Sequence, residues 1–211
     1  MGQEALKHKR LNGTEYFHND GENLGFDVGD FWSWSVSDLV SNTTRGILAE
    51  YIVGRAVGAD LEIWDEWGPY DLRTPEGTRI EVKSAAYRQS WFQKRFSPIS
   101  FNCQKHQYWD SESNESRDET GRFSDVYVFA LLGHTDKETV NPLDISQWKF
   151  FAVPTAWLDA RKRSQHSITL ASLKRSFSET VWQDLAGRAK KAAEVHRKMQ
   201  NGEEVLFPEE F

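Results

Sequence analysis

Asp71, Glu81 and Lys83 fall close together in a stretch that reads Tyr70-Asp71-Leu72, a turn at Pro75-Glu76-Gly77, then Ile80-Glu81-Val82-Lys83. Two carboxylates and an amine are the groups that metal-assisted chemistry at a phosphodiester uses. Carboxylate oxygens suit a hard cation such as Mg2+, which takes one or two of them together with waters and phosphate oxygens. Such a cation makes phosphorus more electrophilic, stabilises the departing alkoxide and lowers the pKa of the attacking water. A neighbouring amine orients or deprotonates that water, or offsets charge on the transition state.

The spacing predicts how the chain brings these groups together. Pro75-Glu76-Gly77 fits a three-residue hairpin loop that ends in a glycine at positive φ. A hairpin centred on Glu76 sets Leu72 opposite Ile80 and Asp71 opposite Glu81. Lys83 lies two residues beyond Glu81 and shares its face, while Tyr70, Leu72, Ile80 and Val82 point the other way, towards a core. Opposed side chains have Cβ atoms about 5 Å apart, so two like charges there need a cation, Lys83 or both. A slip of one residue would send the two acids to opposite faces. Without a ligand role, the same trio reads as a salt-bridged cluster on a surface hairpin.

Glu50 is a third acid of interest. Residues 42–57 read as a helix entered through Ser41 or Asn42 and closed by Gly58. At helical spacing Glu50 neighbours Gly46, Ile47, Val53, Gly54 and Val57, which puts it on or beside the apolar face. Gly46 and Gly54 would let a sheet approach closely. A carboxylate in that position needs a partner: the site, or else Arg45, Arg55 or a backbone group.

Asp71, nine residues, then Glu81-Val82-Lys83 resembles the PD-(D/E)xK nuclease superfamily, with Pro69 two residues before the aspartate rather than one. The resemblance covers roughly residues 41–132. It implies a restriction endonuclease-like α/β fold: an α-β-β-β-α-β core with a mixed central sheet flanked by helices, to which this chain would add C-terminal strands and a helix. It implies Mg2+, with Mn2+ as a substitute, held by Asp71, Glu81, the backbone carbonyl of Val82 and Glu50. It further implies that Asp71, Glu81, Lys83 and Glu50 serve phosphodiester hydrolysis in DNA, as in a deoxyribonuclease of the endonuclease type. RNA is left open as a substrate, and so is a homodimer.

Bulk properties frame this reading. At 211 residues the chain suits one domain, here residues 41–211, preceded by an irregular extension, residues 1–40, packed on it. The hydrophobic share of 38% is low, but nine Trp and thirteen Phe supply large apolar area. A single cysteine, Cys103, excludes an intramolecular disulfide and suits a reducing cytoplasm. Residues 1–9 are polar, with no apolar signal core, and no run is long enough to span a membrane. Six His and one Cys show no zinc spacing.

The net charge of −6 runs against nucleic-acid binding unless the charges are segregated, and they are. From Ser84 to Trp109 there is no acid, while Arg88, Lys94, Arg95 and Lys105 occur. Residues 161–198 hold ten Lys and Arg. Ser84, Arg88, Gln89, Gln93, Lys94 and Arg95 are therefore the expected nucleic-acid contacts, with Gln89 and Gln93 on one face of a helix over residues 85–94. An ordinary solvated surface is the alternative.

The remaining expectations are an aromatic segment at residues 31–34 packed on the domain and strands at residues 61–64, 99–103, 125–132, 148–153 and 167–170. A polar loop is expected over residues 110–121, a short helix at 157–161, and a final helix capped by Ser176 and Glu179. Two other functions share these features: a non-cleaving nucleic-acid-binding module of the same fold, and a structural or interaction protein, to which the surface acids point.

Overall fold

Strand β8 (Val126–Leu132) is apolar at every position and buried at every position. A strand covered on both faces must be central. The computed structural model, which describes residues 8–66, 68–110, 115–162 and 165–205, places it so. β8 pairs in parallel with β4 (Arg79–Ala86) and antiparallel with β9 (Trp148–Pro154). The short β3 (Leu72–Arg73) completes a mixed sheet of order β3-β4-β8-β9. The fold is α/β, a mixed sheet flanked by helices. Residues 1–7 and the tail acids Glu209 and Glu210 lie outside the described residues.

Two helices lie against the sheet and against each other, α2 (Asn42–Val57) and α5 (Leu185–Gln200). α2 has the expected bounds. It closes at Gly58, whose φ of 69° lets its N–H reach the Gly54 carbonyl. Its buried Ala49, Ile52 and Val53 recur at helical spacing, and truncating Ile52 to Ala would cost about 2–5 kcal/mol. α5 buries Leu185, Ala189, Ala192, Ala193 and His196, mostly small residues that admit a close approach. Trp182, just before α5, donates its indole N–H to the Ile52 carbonyl at 2.9 Å and ties the two helices together. The sheet face that carries Phe129 is covered by Phe101 of β5 (Ser100–Asn102), with ring centroids 5.1 Å apart.

Several local expectations are corrected. Residues 12–30 are not irregular: β1 (Tyr16–Asn19) and β2 (Glu22–Asp27) form a hairpin that leads into α1 (Val28–Val36). The capping box of this chain is here, Asp27 with Asp30, rather than at Ser176 and Glu179. The aromatics at 31–34 do not pack inside; α1 buries none of its residues and Trp34 is 84% exposed. Residues 61–64 form no strand, because no strand runs beside them to complete their hydrogen bonds.

The helix expected over residues 85–94 does not form. β4 continues through Ala86, held by parallel pairing as far as Ala86 opposite Leu132, which overrides the helix propensity of the two alanines. The crossover between β4 and β8 is built from an irregular loop, β5, and a two-stranded ribbon of β6 (His106–Asp110) and β7 (Glu115–Gly121), with no helix among its described residues. β7 occupies part of the expected polar loop. α3 (Thr155–Ala160) and β10 (Ser167–Thr169) fall close to where they were expected; β10 pairs with β5. An unexpected α4 (Leu170–Ser176) follows, and α5 begins only at Leu185, after a short 3-10 turn.

Candidate active site

The hairpin that carries the acids has the expected register. Leu72 faces Ile80 and Arg73 faces Arg79. The Asp71 N–H donates to the Ile80 carbonyl at 3.1 Å, and the Thr74 N–H to that of Thr78 at 2.9 Å. Gly77, at φ 87°, closes the turn with its N–H on the Thr74 carbonyl. The parallel partner is fixed at the strand's first residue. Arg79 donates its backbone N–H and guanidinium to Asp125, at 2.9 and 2.6 Å, and accepts the Asp125 N–H at 2.8 Å. That clamp sets Glu81 beside Tyr127 and Lys83 beside Phe129.

Glu81 and Lys83 share one face of β4, and Asp71 reaches across from the other arm of the hairpin, just before β3. Glu81 is only 7% exposed. The Lys83 ammonium lies 2.5 Å from Glu81 Oε1, and Asp71 Oδ2 accepts the Val82 N–H at 2.6 Å. Val82 itself is buried in the core, as its alternation requires. Burial, reinforced by Glu81, pushes the Asp71 carboxyl well above the usual carboxylate range. Burial likewise raises Glu81 against the pull of Lys83. For Lys83, burial acts downward, but Glu81, Asp71 and Glu50 outweigh it and hold the ammonium charged.

Glu50 stands at the margin of this group, close enough for Asp71 and Lys83 to act on its charge. Burial, then the Asp71 charge, raises its pKa to about 7. Its hydrogen-bond partner is neither Arg45 nor Arg55: the Trp64 indole N–H donates to Glu50 Oε2 at 2.6 Å. The helix glycines do not meet the sheet either. A Cβ on Gly54 would collide with Leu61 at 2.6 Å, and one on Gly46 would meet nothing. Gly54 thus admits the chain that leaves the helix and leads to Trp64.

Three residues near the site carried no signal in the sequence. Trp64 is held to Glu50 across an irregular segment. Tyr127 lies beside Glu81; burial and then the Glu81 charge hold its phenol protonated. His106, at the start of β6, hydrogen-bonds the Pro69 carbonyl, and its ring packs edge-on against Phe123 at 5.2 Å. Partial burial and the charge of Lys83 push its imidazole below its usual range. Each depends on a contact between separate elements, which a lone aromatic or histidine does not announce.

The expected nucleic-acid contacts are placed differently. Ser84 follows Lys83 in an unbroken ladder and so turns to the opposite face. Gln89 and Gln93 organise the loop after β4. The Gln89 amide donates to the Ala86 carbonyl and Ser97, the Gln93 amide to the Tyr87 carbonyl and Ser97, and Gln93 Oε1 accepts the Gln89 N–H. Arg88 bonds the Thr135 carbonyl and lies over the Phe96 ring at 4.6 Å. Lys94 and Arg95 are exposed in the same loop. All but Ser84 lie past the end of β4, roughly 10 Å of strand beyond Lys83.

Among the described residues no three His, Cys, Asp or Glu side chains converge as a ready-made metal cage. The donor set nevertheless fits a hard divalent cation. Three acids share the neighbourhood with one lysine, two of them on adjoining segments of one hairpin, and burial together with repulsion from a neighbouring acid raises each. Such a group is short of positive charge, and Mg2+ asks only one or two carboxylates of a protein. Asp71 and Glu81 are the two that fit.

No family model matches the chain, and no curated protein matches its sequence. Among solved structures, a bacterial homing endonuclease is similar at 16% identity and a TM-score of 0.37, covering 78% of this chain and 99% of its own. Among the described residues no helix is long and apolar enough to cross a membrane.

Proposed function

We propose that this chain is a metal-dependent nuclease that hydrolyses phosphodiester bonds in DNA at Asp71, Glu81 and Lys83. The observation that carries the reading is the placement of Asp71 and Glu81 on adjoining segments of one hairpin, both carboxyls raised by burial and Asp71 raised further by Glu81, with Lys83 2.5 Å from Glu81. Asp71 and Glu81 would hold Mg2+, with the Val82 carbonyl as the further donor that the superfamily resemblance implies and Glu50 in the surrounding shell. The cation would supply Lewis acidity at phosphorus and stabilise the leaving oxygen.

The chain's own residues do the rest. The Val82 N–H fixes one oxygen of Asp71 and aims the carboxyl. Lys83 holds the attacking water or a non-bridging phosphate oxygen, where its charge favours the transition state over the substrate. Glu50, titrating at about 7 and steadied by Trp64, is poised to accept a proton from water near neutral pH.

The test is nicking of supercoiled plasmid DNA. Wild type with Mg2+ should give nicked circles, chelation should stop the reaction, and Asp71→Ala and Lys83→Ala should be inactive with the fold intact by circular dichroism. Equal cleavage by all three proteins would overturn the assignment. The tight Lys83–Glu81 pair favours one other reading, a binding module in which the pair is a permanent brace. DNA binding without turnover would select it.

A further inference from the structure

A cleft of about 810 Å³ is lined by His8, Lys9, Arg10, Trp32, Glu62 and Ile63 among others. Ile63 directly precedes Trp64, whose indole bonds Glu50, so one short segment of the chain reaches from the cleft to the acids. Its charge is set apart from its surroundings. From Leu11 to Thr44 there is no Lys or Arg, while that region carries Glu15, Asp20, Glu22, Asp27, Asp30 and Asp38. The cations of this part of the chain are gathered at its N-terminal end, and the cleft takes two of them together with His8 against one acid, Glu62. A concave surface with an excess of one sign of charge concentrates ligands of the other.

The cleft wall is anchored. The Gly29 N–H donates to the Gly13 carbonyl at 2.8 Å, which ties the segment after Arg10 to α1. A Cβ on Gly13 would stand 3.0 Å from Trp32 Cζ3, so the indole lies against the Gly13 backbone on one side. The tryptophan remains 40% exposed and lines the cleft. A held indole beside two cations is the combination that binds single-stranded nucleic acid: bases stack on the ring and phosphates meet the cations.

We infer that this cleft binds the DNA strand flanking the phosphate held at Asp71 and Glu81, with Lys9 and Arg10 on its phosphates and an unpaired base stacked on Trp32. The inference rests on the nuclease reading for the identity of the strand. It names a substrate class: DNA with a single-stranded segment next to the cleaved bond, as at a fork, flap or overhang.

The test is binding of fluorescein-labelled oligonucleotides, single-stranded and blunt duplex, measured by anisotropy in Ca2+, with plasmid nicking in Mg2+ run in parallel. Replacing both cations in Lys9→Gln/Arg10→Gln should weaken single-strand binding about tenfold and reduce the dependence of log Kd on log salt by about 1.4, the share of two phosphate contacts on a single strand. Trp32→Ala should weaken single-strand binding about tenfold and duplex binding much less, and Trp32→Phe should recover most of the loss. Loss in Trp32→Ala without recovery in Trp32→Phe would make the residue a packing element and overturn the stacking. Unchanged binding by the double variant would overturn the cleft assignment even if wild type nicks DNA. These losses in a wild type that never nicks DNA would sustain the cleft and remove the nuclease reading. Poly-glutamate that competes as strongly as a single strand would reassign the cleft to acidic polypeptides.

Discussion

Asp71 Oδ2 accepts the backbone N–H of Val82 at 2.6 Å, so the first acid of the site is fastened to the strand that carries the second. The bond makes the position of Asp71 relative to Glu81 a property of the hairpin and not of a free rotamer. Asp71→Asn retains an oxygen to accept that N–H but loses the charge. The variant should keep its melting temperature and lose at least about a hundredfold in kcat for DNA cleavage. Thermal melting alongside single-turnover nicking separates the two effects, and retained activity would remove Asp71 from the chemistry.

The hairpin in turn depends on Gly77. A Cβ there meets nothing closer than Arg73 Nη2 at 3.7 Å, so a side chain has room, but φ is 87°. The cost of Gly77→Ala is therefore backbone strain of about 1–2 kcal/mol. For a chain of this size that lowers the melting temperature by about 2–8 °C. Activity should fall by more than stability does, because the turn sets the register that opposes Asp71 and Glu81. Circular dichroism melts and nicking rates on the same preparation give the comparison.

Stability without metal should decrease with rising pH across the neutral range. Burial raises Glu50 to about 7, and Asp71 and Glu81 are raised as well. A carboxyl whose folded pKa exceeds its unfolded value binds more protons in the folded state between the two values. Its contribution is complete below the unfolded carboxylate range, near 4, and is lost as pH rises through about 7. The melting temperature in chelator should thus fall between about pH 4 and 7 from these groups. Mg2+ or Mn2+ at pH 8 should restore part of it, since a ligand that binds the folded state stabilises it. A Glu50→Gln/Asp71→Asn variant should show a flatter profile and a smaller response to metal.

Trp64 gives a separate handle on Glu50. Its indole N–H favours the charged carboxylate and holds the pKa down against burial. Trp64→Phe keeps an aromatic ring and removes the donor, so the Glu50 pKa should rise. The acid limb of the pH–rate profile should then move to higher pH, with activity reduced about two- to tenfold at pH 7 and largely recovered at pH 9. An unshifted limb with a uniformly lower rate would mean that Trp64 acts only through packing.

The hairpin was legible because local chemistry fixes it: Pro75-Glu76-Gly77 selects the turn, and the turn selects Leu72 opposite Ile80. α2 was legible for the same reason, through its apolar spacing and Gly58. Ala85 and Ala86 misled because their conformation is decided by Leu131 and Leu132, which pair with them across a long crossover. β7 was hidden because it is polar throughout and pairs in a ribbon outside the core sheet. The bond from Trp64 to Glu50 left no trace, since it closes an irregular segment whose path no periodicity describes. Gln89 and Gln93 do meet, but in a loop and not on the expected helix face, and their amides serve the loop itself.

The central claim is that Asp71 and Glu81 form a metal site, and a crystal soaked in Mn2+ tests it most directly. The account predicts one anomalous peak within about 2.1–2.4 Å of oxygens from both carboxylates, with the Val82 carbonyl as a further donor and Lys83 drawn away from Glu81. A peak elsewhere, or an intact Lys83–Glu81 pair with no metal at saturating Mn2+, would contradict it.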